Sequence, residues 1–107
     1  MRLVKEIKYR GYKAKVVKLT KKQAKNGNMY GCYYPETSTI AIQENLKKLT
    51  LLDTMLHEIG HFIADKSQIR LANLGEEGIT SFIGSEFGKV FLQNPKLINF
   101  IKRCVAE

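Results

Sequence analysis

The most regular hydrophobic pattern in this 107-residue chain lies at residues 50–66, with the sequence TLLDTMLHEIGHFIADK. Its large apolar residues recur every three or four positions, which is the period of an α-helix with one buried face. They are Leu52, Met55, Leu56, Ile59, Phe62 and Ile63. We therefore expect a helix that has Thr50 as its N-cap and ends near Lys66.

The residues before this helix have the patterns of β-strands. Between residues 3 and 19, apolar residues alternate with Lys and Arg, and Arg10-Gly11 is a plausible reversal point. Residues 29–34 and 38–43 are rich in aromatic and β-branched side chains, which favour strands. The front half is therefore predicted to form a basic hairpin and two further strands in a small, mostly antiparallel sheet.

Two more helices are expected after residue 66. One extends from about Glu76 to Leu92, and Asn94-Pro95 then provides an N-cap and a first-turn proline for a last helix that ends near Val105. A chain of 107 residues with 44% hydrophobic content is long enough for one core. We expect a single α+β domain over residues 1–107, with the small antiparallel sheet packed on the 50–66 helix.

The net charge of +8 is concentrated near the N-terminus. Residues 1–25 contain ten Lys or Arg against Glu6 alone, whereas residues 26–107 contain eight against nine acidic residues. Such a basic hairpin could bind nucleic acid or an acidic protein. The alternative is that these lysines form the solvated face of a half-buried sheet and protect its edge from aggregation.

The sequence also favours a cytoplasmic location. No segment approaches the ~18 consecutive apolar residues of a membrane span, and the N-terminus lacks the apolar run of a signal peptide. Cys32 and Cys104 lie far apart and outside any Cys-x-x-Cys spacing, so we expect free thiols.

The 50–66 helix contains the motif His-Glu-x-x-His at residues 57–61, and His57 and His61 are the only two histidines. Residues four apart on a helix lie ~5–6 Å apart at Cβ, so both imidazoles can reach one zinc ion at ~2.0–2.1 Å. Glu58 is then placed to act as the general base on a zinc-bound water. The alternative is a solvated helix face that matches the motif by accident.

A catalytic zinc ion normally has three protein ligands, and without a third histidine the missing ligand should be acidic. Asp65 is better placed to orient a ligand than to bind the ion. Glu86 lies within an apolar stripe, where no polar neighbour is evident from the sequence. The candidates are Asp65, Glu76, Glu77 and Glu86.

Glu77 is the favoured third ligand, and Glu76 is its rival. Small residues lie on the Glu77 side of the second helix, where they would allow a close approach to the Gly60 and Ala64 side of the first helix. They are Thr80, Ser81, Gly84 and Gly88. Whichever glutamate does not bind zinc would be a helix N-terminal acid favoured by the helix dipole.

The chain resembles ImmA/IrrE-type metallopeptidases in three features. They are the His-Glu-x-x-His motif, the strand segments at residues 31–34 and 39–42, and the start of a helix at Glu76-Glu77. Metallopeptidases of this type are small gluzincin-like zinc enzymes, and the short versions occur in bacteriophages and other mobile elements. The resemblance covers roughly residues 29–100. It implies a zincin-like fold, one zinc ion and cleavage of a protein, often a DNA-bound repressor or regulator. In this family a downstream glutamate precedes small residues three, four and seven positions later, which Glu77 partly matches.

Two functions follow from these patterns. The first is a zinc endopeptidase with His57, His61 and Glu77 as ligands and Glu58 as base, acting on a protein or peptide that adds to the edge of the 38–43 strand. The basic hairpin would lie beside the cleft and attract an acidic or DNA-bound target. The alternative is a non-catalytic module that binds nucleic acid or an acidic protein and has a structural or vestigial zinc site.

Overall fold

The computed structural model describes residues 2–20, 22, 29–43 and 45–106. Its strands are β1 (Glu6–Tyr9), β2 (Tyr12–Leu19), β3 (Gly31–Tyr34) and β4 (Thr39–Gln43). Its helices are α1 (Lys48–Ser67), α2 (Glu76–Phe82), α3 (Gly88–Gln93) and α4 (Pro95–Val105). A 3₁₀ turn at Leu71–Asn73 precedes α2, and a π-helical segment at Ile83–Phe87 joins α2 to α3. The predicted α+β class is confirmed.

The four strands form one sheet in the order β1-β2-β4-β3. The β1–β2 and β3–β4 pairs are antiparallel as predicted, but the central β2–β4 pair is parallel, so the sheet is mixed. The difference arises because β4 inserts between β2 and β3 and occupies the centre of the sheet. Residues Ile40 to Ile42 are all buried, as expected for a central strand that has another strand on each side.

The hairpin between β1 and β2 turns at the predicted dipeptide. Arg10 has a φ of 47° and Gly11 a φ of 82°. Positive φ at both central residues defines the type I′ turn, whose twist matches the right-handed twist of the two strands. The predicted reversal at Arg10-Gly11 is therefore confirmed.

Helix α1 begins at Lys48, two residues before the predicted N-cap. Lys47 is the N-cap and provides no side-chain hydrogen bond, so the prediction for Thr50 is wrong. The helix begins two residues earlier because Lys48 and Leu49 are good helix formers. It packs against β3, β4 and α4. Its fully buried apolar residues are Met55, Ile59, Phe62 and Ile63.

The second predicted helix is interrupted by the π-helical segment. A π turn contains an extra residue and rotates the side chains that follow, which places Glu86 inside the protein with 9% of its surface exposed. Polar groups surround its carboxylate, contrary to the expectation from sequence. The Tyr9 hydroxyl donates a hydrogen bond at 2.5 Å, and Ser85 and Lys89 donate at 2.9 and 3.0 Å. The Arg10 guanidinium lies 3.2 Å from the same carboxylate.

Asn94 and Pro95 begin α4 as predicted, with proline in the first turn. The Asn94 side chain, however, does not cap the helix. Its Oδ1 accepts a hydrogen bond from the Lys8 N–H at 2.9 Å, and its Nδ2 donates to the Lys8 carbonyl at 2.8 Å. Asn94 therefore satisfies the backbone of edge strand β1 and joins it to the helices.

Within the described ranges, no helix is long and apolar enough to cross a membrane. Neither Cys32 nor Cys104 forms a disulfide bond, as expected.

The contacts of Glu86 predict a pH-dependent contribution to stability. Its hydrogen bonds to Tyr9 and Lys89 lower its pKa from 4.5 to about 2. The ionised carboxylate therefore stabilises the fold above about pH 4.5, and this contribution is lost as the pH falls toward 2. We expect Glu86→Gln to lower the free energy of unfolding by about 2 kcal/mol at pH 7 in urea titrations, with no difference from wild type near pH 2.

Glu36→Gln is the matched control, because Glu36 is exposed and forms no ion pair among the described residues. Equal losses in both variants at pH 7, or a Glu86→Gln deficit that persists near pH 2, would contradict the assignment.

Candidate functional site

The histidine pair lies on the exposed face of α1. The buried residues of this helix fix its rotation, so that His57 and His61 point away from the core one turn apart. Their Nε2 atoms are 3.1 Å apart. The two imidazoles therefore converge on one point in space, as the motif predicts for a helix.

This separation fits a shared zinc ion. Two nitrogens bound at ~2.05 Å with a tetrahedral angle are about 3.3 Å apart. The 3.1 Å between the two Nε2 atoms is close to that value. Imidazole nitrogens are also donors that zinc accepts readily. His57 and His61 thus fit two positions of a zinc site.

Glu58 is buried beside the pair, with 7% of its surface exposed. Burial raises its pKa above the ordinary value, and charge on His57 and His61 opposes that rise. The Tyr33 backbone also forms a hydrogen bond with the carboxylate. A carboxylate held in place with a raised pKa is suited to accept a proton.

An open groove of about 450 Å³ lies in front of these residues, between β3 and α1. Tyr33 lines this groove, and its hydroxyl donates a hydrogen bond to Asp65 Oδ2 at 2.6 Å. Burial and this hydrogen bond raise the pKa of Tyr33 to about 12. The Tyr33–Asp65 contact therefore joins β3 to α1 at the side of the groove next to His61.

Gly31 allows β3 to approach α1 closely. A Cβ atom at this position would lie 2.7 Å from Thr54 Cγ2, 3.0 Å from the Ala41 carbonyl and 3.3 Å from Glu58 Cγ. Sequence reasoning did not identify Gly31 or Tyr33 as site residues. A glycine inside a predicted strand was the available signal, because it often marks close approach of another element.

The structure does not bring a third ligand to the histidines. Among the described residues, no three His, Cys, Asp or Glu side chains form a group that could hold a metal ion. Glu76 and Glu77 lie in the first turn of α2 with exposed side chains. Asp65 lines the groove, and Glu86 lies in its own polar cluster. Glu77 therefore stays a prediction.

The prediction that the small residues after Glu77 pack closely against the Gly60 side of α1 is wrong. Gly60 faces Phe87, whose Cζ would lie 3.6 Å from a Cβ at that position. A Cβ atom added at Gly84 or at Gly88 would have no neighbouring atom within 4 Å. An aromatic ring thus fills the space over Gly60, because the π-helical segment turns Phe87 toward α1 and leaves the small residues facing outward.

The edge strand at the groove also differs from the prediction. Strand β4 pairs with β2 on one side and β3 on the other, so it presents no edge. Strand β3 is the edge strand, and Gly31, Cys32 and Tyr33 line the groove. No residue of the basic hairpin lines this groove, and β4 separates the hairpin from β3 in the sheet.

The close contacts of Gly31 predict that a single methyl group destabilises the protein. We expect Gly31→Ala to lower the free energy of unfolding by about 1–3 kcal/mol, since the added Cβ overlaps Thr54 and the Ala41 carbonyl. Thermal melting should show a decrease of several degrees. Gly84→Ala is the matched control and should be neutral or stabilising by up to about 1 kcal/mol, because its Cβ meets open space. Identical melting of both variants would contradict the packing.

No family model matches the chain, and no curated protein or solved structure matches it significantly.

Proposed function

We propose that the protein is a zinc-dependent endopeptidase. One observation carries the proposal: two convergent imidazoles, 3.1 Å apart at Nε2, lie beside the buried Glu58 carboxylate at an open groove. A structural zinc site is closed by four protein ligands, whereas this pair faces solvent. An open metal site next to a proton acceptor is the arrangement that hydrolysis requires.

In this proposal His57 and His61 hold the ion, and Glu58 moves the proton. A bound zinc ion would polarise the substrate carbonyl and lower the pKa of a water molecule toward ~7. Glu58 accepts the proton of the attacking water and later donates it to the leaving amine. The pKa raised by burial favours acceptance of the proton by Glu58. The Tyr33 backbone holds the carboxylate in position.

The proposed substrate is an extended peptide that adds to edge strand β3. The backbone of an edge strand offers N–H and C=O groups that a peptide can pair with. Because β3 forms one wall of the groove, a peptide paired with it would pass in front of His57 and His61. A cytoplasmic regulator or repressor of a mobile element is the proposed target, on the resemblance described above.

Glu77 is the proposed third ligand, with Glu76 as the alternative. Neither carboxylate forms an ion pair within the described ranges, and both side chains are exposed. The proposal therefore requires the first turn of α2 to move toward the histidines when zinc binds.

The test of catalysis is zinc content and peptide hydrolysis measured together on wild type and Glu58→Gln. Glu58 is the base rather than a ligand, so both proteins should contain about one zinc ion per chain. Hydrolysis of a peptide library should fall by at least about a hundredfold in the variant. His57→Ala is the control that loses the ion. A wild type that binds no zinc, or a Glu58→Gln variant that hydrolyses peptides normally, would contradict the proposal.

The third ligand is tested by zinc retention during competition with a chelator. Glu77→Gln should weaken zinc affinity by about tenfold or more, whereas Glu76→Gln should retain it within about threefold. Loss of zinc in Glu76→Gln alone would assign the ligand to Glu76. Retention in both glutamate variants would exclude a ligand from α2.

A further inference from the structure

A second concave surface, here called the basic groove, lies between the N-terminal segment and α4. It has a volume of about 540 Å³, and residues 2–6 form one wall. Lys96, Asn99 and Arg103 form the other wall, and their spacing of three and four positions places them on one face of α4. An adjoining concavity of about 450 Å³ shares residues 2–5 and extends to Lys18 on β2.

The basic groove and its extension are lined by cations that form no salt bridge with a described acidic residue. These are Arg2, Lys5, Lys18, Lys96 and Arg103. None of them forms a salt bridge within the described part of the chain, whereas Arg10, Lys13, Lys66 and Lys89 all do. The acidic residue that lines the groove, Glu6, lies 3.4 Å from Lys13 Nζ. Among the described residues, the cations of the groove therefore exceed the acidic side chains that line it.

Like charges on facing walls repel, and an anion between them relieves the repulsion. The two walls are joined where Arg103 donates a hydrogen bond to the Arg2 carbonyl at 3.2 Å. The cations continue from α4 past the N-terminal segment to β2 rather than surrounding one point. This distribution fits a chain of successive phosphates better than a single small anion.

The lining also favours a duplex over a single strand. Proteins that bind single strands combine a positive groove with aromatic side chains on which bases stack. Both concavities are lined by aliphatic and polar residues, without an aromatic side chain among the described ones. Lys, Arg and Asn side chains are typical contacts to the phosphates of a duplex. We propose that the basic groove binds the phosphate backbone of double-stranded DNA.

This surface is separate from the histidine groove. The N-terminal segment leads into β1, which is the opposite edge of the sheet from β3. DNA in the basic groove would therefore leave His57, His61 and β3 accessible to a peptide. The inference does not depend on peptidase activity, since it involves none of those residues.

The test measures the anisotropy of a fluorescent 20-bp DNA duplex titrated with the full chain at several salt concentrations between 50 and 200 mM. We expect Lys96→Gln/Arg103→Gln to weaken binding about tenfold at 100 mM salt. The slope of log affinity against log salt should decrease by about 2, because two phosphate contacts are lost. The second double variant, Lys5→Gln/Lys18→Gln, should lose a similar amount of affinity for the duplex. It provides an independent test if the first double variant folds poorly.

Lys8→Gln/Arg70→Gln is the control with the same change in net charge, since both residues are exposed and lie outside both concavities. It should change the affinity by less than about threefold. Equal losses in groove and control variants would show a net-charge effect and overturn the assignment. So would a wild type that does not bind the duplex at 50 mM salt, or that prefers a single strand or polyglutamate to it.

Discussion

The rotation of α1 about its axis is the constraint on which the rest of the site depends. Met55, Ile59, Phe62 and Ile63 are fully buried, and this leaves one orientation for the helix on the sheet. That orientation turns His57 and His61 outward. Their chelating geometry is thus supported by apolar packing on the other side of the same helix.

The position of β3 buries Glu58 and forms one wall of the groove in front of the histidines. Close approach at Gly31 brings the β3 backbone to Glu58, where burial raises the pKa of the carboxylate. The Tyr33–Asp65 hydrogen bond fixes the same strand to α1 at the other side of the groove. A base, two candidate ligands and a free strand edge are therefore held by one helix–strand contact.

The cations fall into two groups, those that pair with a carboxylate and those that pair with no described acidic residue. Arg10 and Lys89 approach the buried Glu86, where charge stabilises the contact between β1 and the helices. The cations of the basic groove lack such partners within the described ranges. Cations that compensate a buried carboxylate contribute to the fold, whereas uncompensated cations are available to an external polyanion.

Helix period, strand alternation and turn residues act over a few positions, so most elements and the spacing of the histidines could be predicted from the sequence. It located α1, the Arg10-Gly11 turn, the start of α4 and the His57–His61 spacing. The central position of β4 and the edge position of β3 could not be predicted in this way, since strand order depends on contacts between distant residues. The same reason applies to Glu86, whose partner Tyr9 is 77 positions away, and to the basic groove, which combines the first residues of the chain with its last helix.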